Sequence, residues 1–169
     1  ADIGISTGLN AGTGNVTIIR SGGGTIGLGA TAGNMTISGA ELQKITAANL
    51  TIGNETVGNI TVNGITAGNS NNIGNVNLTA RKSTSSITFA TAGSTFNALT
   101  VLAGNDVNVN FPVITDTGVL ELRAGNDVLL AAAGDLTSAG NVIIVADNDG
   151  NLNSTGGAIT MTDGAVINA

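Results

Sequence analysis

Leu99-Thr-Val-Leu-Ala-Gly-Asn-Asp106-Val107 decides the predicted fold, and it returns as Leu120-Glu-Leu-Arg-Ala-Gly-Asn-Asp127-Val128. A looser third copy reads Val142-Ile-Ile-Val-Ala-Asp-Asn-Asp149-Gly150, and successive copies begin 21 and 22 residues apart. Apolar residues alternate with others in each copy, which is the period of a β-strand with one buried face. The Gly-Asn step then ends the strand, because both residue types tolerate the backbone of a tight corner. A repeat of about 20 residues with this content predicts a solenoid.

Elsewhere in the chain, the repeat is marked by an Asn that directly precedes a short strand-like triplet with apolar residues. We interpret this Asn as a corner residue whose amide can bond its equivalent in the next rung, as in stacked amide ladders. The hypothesis gives a corner ladder of Asn15, Asn34, Asn49, Asn75, Asn97 and Asn141. The neighbouring aliphatic residues are predicted to form one inward ladder: Val16, Ile18, Met35, Ile37, Leu50, Ile52, Val76, Leu78, Leu99, Val101, Leu120, Leu122, Val142 and Ile144.

The repeat predicts one all-β domain over residues 1–169, a parallel β-helix (β-solenoid) of about eight rungs with about 21 residues per rung. One stretch departs from the pattern: Ser38-Gly-Ala-Glu41 fits a capping box, which predicts a turn or two of helix. Residues 64–75 are predicted to form a polar loop, and residues 81–86 an exposed turn.

Composition narrows the functional classes. The formal net charge is −6 and there is no cysteine, histidine, tryptophan or tyrosine. The negative charge argues against nucleic acid, which attracts basic patches. No apolar run approaches the length of a membrane-spanning helix, so we expect no membrane insertion. Without cysteine, disulfides and thiolate metal sites are excluded.

The repeats are similar to those of a known class of surface protein. Three segments resemble the repeats of filamentous-haemagglutinin-like proteins, which are giant surface proteins of bacteria. The segments are Met35-Thr-Ile-Ser-Gly-Ala-Glu-Leu-Gln-Lys-Ile-Thr-Ala47, Leu50-Thr-Ile-Gly53 and Gly58-Asn-Ile-Thr-Val62. Residues 99–107 and 120–128 have the same style. The resemblance implies a right-handed parallel β-helix, secretion to the bacterial cell surface, and an adhesive or filament-forming role. It also implies surface glycans or proteins of host or neighbouring cells as partners.

Three acidic corner residues raise the question of a cation site. If Asp106, Asp127 and Asp149 stack in adjacent rungs, they would lie roughly 5 Å apart, which could place Ca²⁺ between carboxylates. Calcium, however, takes six to eight oxygen ligands. We favour the alternative that each carboxylate caps local backbone N–H groups, and we predict no metal and no cofactor.

Carbohydrate-binding or carbohydrate-cleaving β-helix proteins are the alternative to a structural role. Acid–base work on sugars uses paired carboxylates or tuned bases. The acidic residues here fall in different parts of the repeat, namely Glu41, Glu55, Asp116, Glu121 and Asp135. We therefore predict that the chain is not an enzyme, and sugar binding without catalysis stays open.

Two surfaces are predicted to make contacts. Leu129, Ile143 and Val145 are expected to point outward, and an exposed apolar patch can mark a lateral contact. Both ends look uncapped, because Asp2-Ile-Gly-Ile5 alternates like a regular strand and residues 157–168 continue the repeat. Open strand edges attract other chains. We therefore predict head-to-tail stacking with copies of the chain or with further repeats, a contact that does not close on itself.

Overall fold

Short alternating segments form the strands of the computed structural model, which describes residues 2–148 and 157–169. The first half contains β1 Leu9–Asn10, β2 Asn15–Ile18, β3 Ile26–Gly29, β4 Met35–Ile37, α1 Gly39–Leu42, β5 Ile45–Asn54, β6 Ile60–Asn63, α2 Ala67–Ser70, β7 Ile73–Ala80, β8 Ile87–Phe89 and β9 Ser94–Phe96. The second half contains β10 Leu99–Ala103, β11 Val107–Val109, β12 Val113–Thr115, β13 Leu120–Ala124, β14 Val128–Leu130, β15 Leu136–Ser138, β16 Val142–Val145, β17 Ile159–Met161 and β18 Ile167–Asn168.

The strands stack into three parallel sheets, one on each side of a coil. Sheet one runs β1-β5-β7-β10-β13-β16, with β2 also paired to β5. Sheet two runs β4-β3-β6-β8-β11-β14-β17, and sheet three runs β9-β12-β15-β18. Successive strands of the chain, such as β10, β11 and β12, belong to different sheets, so each of these later rungs contributes one strand to each side. The predicted parallel β-solenoid is confirmed.

The repeat copies align as their sequences predict. Leu99 pairs with Leu120, and Leu120 pairs with Val142. In the first half, Val16 pairs with Leu50, and Leu50 pairs with Val76. These early rungs are longer than the rungs of the second half. Among the described residues, sheet one therefore has six levels of strands, because β1 and β2 both pair with β5, and sheet two has seven strands.

The interior is an aliphatic column between the three sheets, and inward residues such as Leu50, Leu99 and Leu122 are fully buried. The prediction of one inward ladder is wrong for two of its members. Met35 and Ile37 are buried, but they belong to β4 in sheet two, where Met35 pairs with Ile26. The core therefore has a column of aliphatic residues on each side.

The first half departs from a simple coil. The chain passes from β3 to β4, which lies on the far side of β3 from β6 and so steps back by one strand. The predicted capping box is present: the Ser38 N–H donates to Glu41 Oε2 at 2.8 Å, and α1 follows. Residues 64–75 are not simply a loop, because they contain α2 and the start of β7. Helices α1 and α2 contact each other, and α2 contacts β9, so they take the third side in the early rungs.

Candidate functional site at the open rung

At the corner between sheet one and sheet two, a column of side chains links successive rungs by hydrogen bonds. Asn59 Oδ1 accepts from the Ser86 N–H at 3.0 Å, and Ser86 Oγ accepts from the Asp106 N–H at 3.3 Å. Asp106 Oδ1 accepts from the Asp127 N–H at 3.2 Å, and Asp127 Oδ1 accepts from the Ala158 N–H at 2.8 Å. We call Asn59, Ser86, Asp106 and Asp127 the corner column. It supplies a side-chain acceptor to a backbone donor at each step.

Two of the three Asp residues considered as a cation site belong to the corner column. Asp106 and Asp127 lie in adjacent rungs, since Val107 pairs with Val128. Asp149 lies outside the described residues, and the position after Asp127 in the column is Ala158. Within residues 2–148 and 157–169, no three His, Cys, Asp or Glu residues form a group that could hold a metal ion. Ser86 was missed by sequence reasoning, although it directly precedes a strand, as Asn59 and the two Asp residues do.

The predicted Asn ladder exists only in part. Asn15, Asn49 and Asn75 align, and Asn49 Nδ2 donates to Asn15 Oδ1 at 2.9 Å. Asn141 shares this alignment, but Ala98 and Val119 fill the two rungs between.

Two proposed members of the ladder lie elsewhere. Asn34 precedes β4 in sheet two, where its Oδ1 accepts from the Thr25 N–H. Asn97 lies one residue before the aligned position, and its amide donates to the Ile73 carbonyl at 2.8 Å. The six asparagines therefore do not form one ladder.

The residues of the predicted lateral patch lie on two sheets. Ile143 and Val145 belong to β16 in sheet one, beside Glu121 and Arg123 of β13. Leu129 belongs to β14 in sheet two and is half-buried. The Arg123 guanidinium pairs with the Glu121 carboxylate at 2.6 Å. Leu129 therefore lies on a different side of the coil from Ile143 and Val145, and the predicted lateral contact stays a prediction.

The strongest candidate surface is the rung formed by β16, β17 and β18, which we call the open rung. These strands are terminal in their sheets. Ile159 and Met161 are 49% and 44% exposed, whereas their partners in the preceding rung, Val128 and Leu130, are 0% and 1% exposed. Ile167 is 39% exposed above a fully buried Leu136. Inward positions of the repeat are therefore uncovered along this face.

The opposite end is covered by residues 2–11, which we call the strap. The strap is not the regular strand predicted for Asp2-Ile-Gly-Ile5, because Gly4 has a φ of 65° and only an isolated bridge joins Asp2 to Thr36. The Ile3 N–H donates to the Thr36 carbonyl at 3.3 Å. Ile3 and Ile5 pack against the core. The prediction of two uncapped ends is therefore wrong where Ile3 and Ile5 lie, whereas β2 remains an edge strand of sheet one at this end.

Glu41 anchors the strap to α1. Its Oε1 accepts from the Ile5 N–H at 3.1 Å, while its Oε2 accepts from Ser38. Burial by itself raises the pKa of Glu41, but the hydrogen bonds that Ser38 and Ile5 donate to its carboxylate outweigh burial and hold the pKa below its ordinary value. Lys44 Nζ donates to the carbonyls of Ile5 and Ser6 at 2.9 and 3.3 Å. The strap is therefore held by specific polar contacts.

Comparisons with protein-family models, with curated proteins and with solved structures find no match to this chain. Among the described residues, no helix has the length and apolar content needed to cross a membrane.

Proposed function

We propose that the chain is a structural unit of an extracellular filament or cell-surface adhesin, and that it assembles by adding a rung of the same kind to the open rung. The exposure of Ile159, Met161 and Ile167 carries the proposal, since the equivalent positions of the preceding rung are buried. Burial of apolar surface is the main favourable term in association. The extracellular setting rests on the resemblance of the repeats to filamentous-haemagglutinin-like proteins.

Backbone donors support the same assembly. The N–H groups of Leu120, Val128 and Leu136 donate to Asn141, Ala158 and Val166 in the next rung. By register, the corresponding donors of the open rung belong to Val142, Ile159 and Ile167. Another parallel rung at the usual strand spacing of about 4.8 Å would supply acceptors for these donors and cover the aliphatic side chains beside them.

The far end offers a complementary edge. There β2 is an edge strand of sheet one, Ile19 is 53% exposed and Leu9 is 42% exposed. A second copy of the chain can therefore bring aliphatic residues and an unpaired strand to the open rung. Such a head-to-tail contact joins different surfaces of two copies and propagates into a rod.

Sedimentation velocity over a concentration series tests the proposal. The variant Ile159→Lys with Ile167→Lys charges the open rung, and Phe111→Lys is the matched control, because Phe111 is an exposed apolar residue on a lateral turn. We expect the wild type and the control to form growing assemblies, visible as unbranched rods by electron microscopy, and the double variant to stay monomeric. A monomeric wild type, or a double variant that assembles equally well, would contradict the proposal.

A further inference from the structure

The strap covers the edge of sheet two at the far end of the coil from the open rung. The terminal strand of that sheet is β4, and Asp2 of the strap pairs with Thr36 of β4 in a parallel bridge. Ile3 and Ile5 pack against the core. Ile37 of β4 is fully buried, although β4 has no further strand outside it in the described part of the chain. The strap therefore lies where another strand of sheet two would lie.

The contact of the strap with β4 is shorter than the pairing of two strands. The Ile3 N–H donates to the Thr36 carbonyl at 3.3 Å, which is long for a bond whose usual length is about 2.9–3.0 Å. Gly4, with a φ of 65°, then turns the strap out of the extended conformation. By comparison, β4 pairs with β3 over all of Met35–Ile37, and β17 pairs with β14 over all of Ile159–Met161. A regular strand would therefore make a longer ladder on β4 than the strap makes.

Two charged side chains latch the strap. Glu41 Oε1 accepts from the Ile5 N–H at 3.1 Å, and Lys44 Nζ donates to the carbonyls of Ile5 and Ser6 at 2.9 and 3.3 Å. The other carboxylate oxygen, Glu41 Oε2, accepts from the Ser38 N–H at 2.8 Å and does not depend on the strap. Lys44 is exposed, so water can replace its bonds to the strap. Helix α1 therefore keeps its capping box when the strap moves.

The strap can separate from the coil without losing β1. The N–H groups of Leu9 and Ala11 donate to carbonyls at the start of β5 at 2.9 and 2.8 Å. Residues 6–8, which precede β1, are exposed and end in Gly8. Glycine accepts a wide range of backbone conformations and can absorb the change of direction. The part of the strap before Gly8 can therefore move while β1 stays paired.

We infer that the strap is a displaceable cap, and that β17 of a second copy takes its place on β4 when two copies stack. The inference rests on the proposed function, and it identifies the surface at the far end to which the open rung binds. Ile159 and Met161 are uncovered in β17, while Met35 and Ile37 are the buried residues of β4 with the same spacing. A three-residue ladder then replaces the short contact of the strap, and aliphatic residues of both copies are covered. In a single copy, the strap keeps Ile37 covered.

A reversible lock on the strap tests the inference. The chain has no cysteine, so Asp2→Cys with Thr36→Cys supplies the only pair that can form a disulfide. The two positions are bridge partners on neighbouring segments about 4.8 Å apart, within the range that a disulfide spans. By sedimentation velocity over a concentration series, we expect the oxidised variant to stay monomeric where its reduced form and the wild type assemble. Thr61→Cys with Thr88→Cys, an aligned pair within sheet two, is the matched control and should assemble in both states.

Loosening the latch should have the opposite effect. Lys44→Met removes the bonds to the Ile5 and Ser6 carbonyls and leaves the capping box of α1 in place. Because the strap is then displaced more easily, we expect assembly at about threefold lower protein concentration. Lys82→Met is the matched control, since Lys82 is an exposed lysine in a turn away from the strap, and it should not change the concentration of assembly.

Several results would overturn the role of the strap and leave the stacking proposal intact. They are assembly of the oxidised Asp2→Cys, Thr36→Cys variant at the same concentration as its reduced form, equal inhibition by the oxidised control pair, and a Lys44→Met variant that assembles no earlier than Lys82→Met. Failure of the Asp2→Cys, Thr36→Cys pair to oxidise in the monomer would show that the strap does not lie on β4, with the same consequence. A wild type that stays monomeric would instead contradict the stacking itself, and the inference with it.

Discussion

The regular half of the molecule, from residue 99 onward, and the irregular half before it both stack parallel strands in register, but they differ in their corner loops and strand order. In the regular half, Gly104-Asn105-Asp106 and Gly125-Asn126-Asp127 turn the first corner in three residues. In the irregular half the corner loops are longer, β4 steps back beside β3, and the strap covers the end. Yet the corner column runs from Asn59 in the irregular half to Asp127 in the regular half. Register therefore survives insertion, because it depends on aligned strands and not on equal loops.

The largest expected effect contrasts a covered rung with the open rung. Leu130 and Met161 occupy the same register position, but Leu130 is 1% exposed and Met161 is 44% exposed. Leu130→Asp buries an unpaired charge and should cost at least about 3 kcal/mol in the free energy of unfolding. Met161→Asp should cost less than about 1 kcal/mol in dilute protein, since water reaches the carboxylate. Urea unfolding measures the loss of stability in both variants. Equal losses would contradict the claim that the open rung leaves Met161 exposed to water.

The second prediction concerns the corner column. Asp106→Ala removes the acceptor of the Asp127 N–H and of Asn126 Nδ2, which donates at 2.8 Å. We expect a loss of about 1.5–3 kcal/mol in the free energy of unfolding, because these donors bond to a charged acceptor. Asp116→Ala, at an exposed position in the same half, should change stability by less than about 0.5 kcal/mol. Similar effects for the two variants would show that the column does not stabilise the rungs.

The third and smallest effect is the pH dependence of the strap. The pKa of Glu41 is lowered in the folded state, so its contribution to stability is present above the unfolded value of about 4.3 and is lost as the pH falls through the folded pKa. The protection factor of the Ile5 amide, which is the intrinsic exchange rate divided by the observed rate, should therefore fall at acidic pH. Glu41→Gln should remove most of this dependence, while Glu55→Gln, which is exposed, should retain it. An unchanged pH dependence in Glu41→Gln would exclude Glu41 as the anchor.

The regular half could be predicted from sequence because its strand pattern recurs at a nearly constant spacing, so that strands with the same pattern also stack in the same sheet. Leu99-Thr-Val and Leu120-Glu-Leu alternate strictly, and no insertion separates them from the Gly-Asn corner. The capping box of Ser38 and Glu41 could also be read locally, since both halves of the motif lie within one turn.

The irregular half could not be predicted in the same way. Asn15-Val-Thr-Ile18 and Asn34-Met-Thr-Ile37 carry the same pattern, yet they lie in sheets one and two. A strand pattern specifies which residues point inward, but it does not specify which side of the coil the strand joins. The start of α2 was missed because Asn69, not Glu or Gln, accepts from the Thr66 N–H.

The strap also escaped sequence reasoning. The contact of Glu41 with Ile5 is set by tertiary structure, since the two residues lie 36 positions apart in the chain. In contrast, the open rung was foreseeable, since residues 157–168 carry the same alternation as the buried rungs before them.

The most direct test of the stacking proposal is hydrogen exchange at the open rung as a function of protein concentration. The amides of Val142, Ile159 and Ile167 correspond to donors that are paired in the preceding rung. We expect these three amides to exchange quickly in dilute protein and to become protected as the concentration rises, while the Leu120 amide stays protected throughout. Exchange at the three amides that is independent of concentration, in a protein that remains monomeric, would contradict end-to-end stacking.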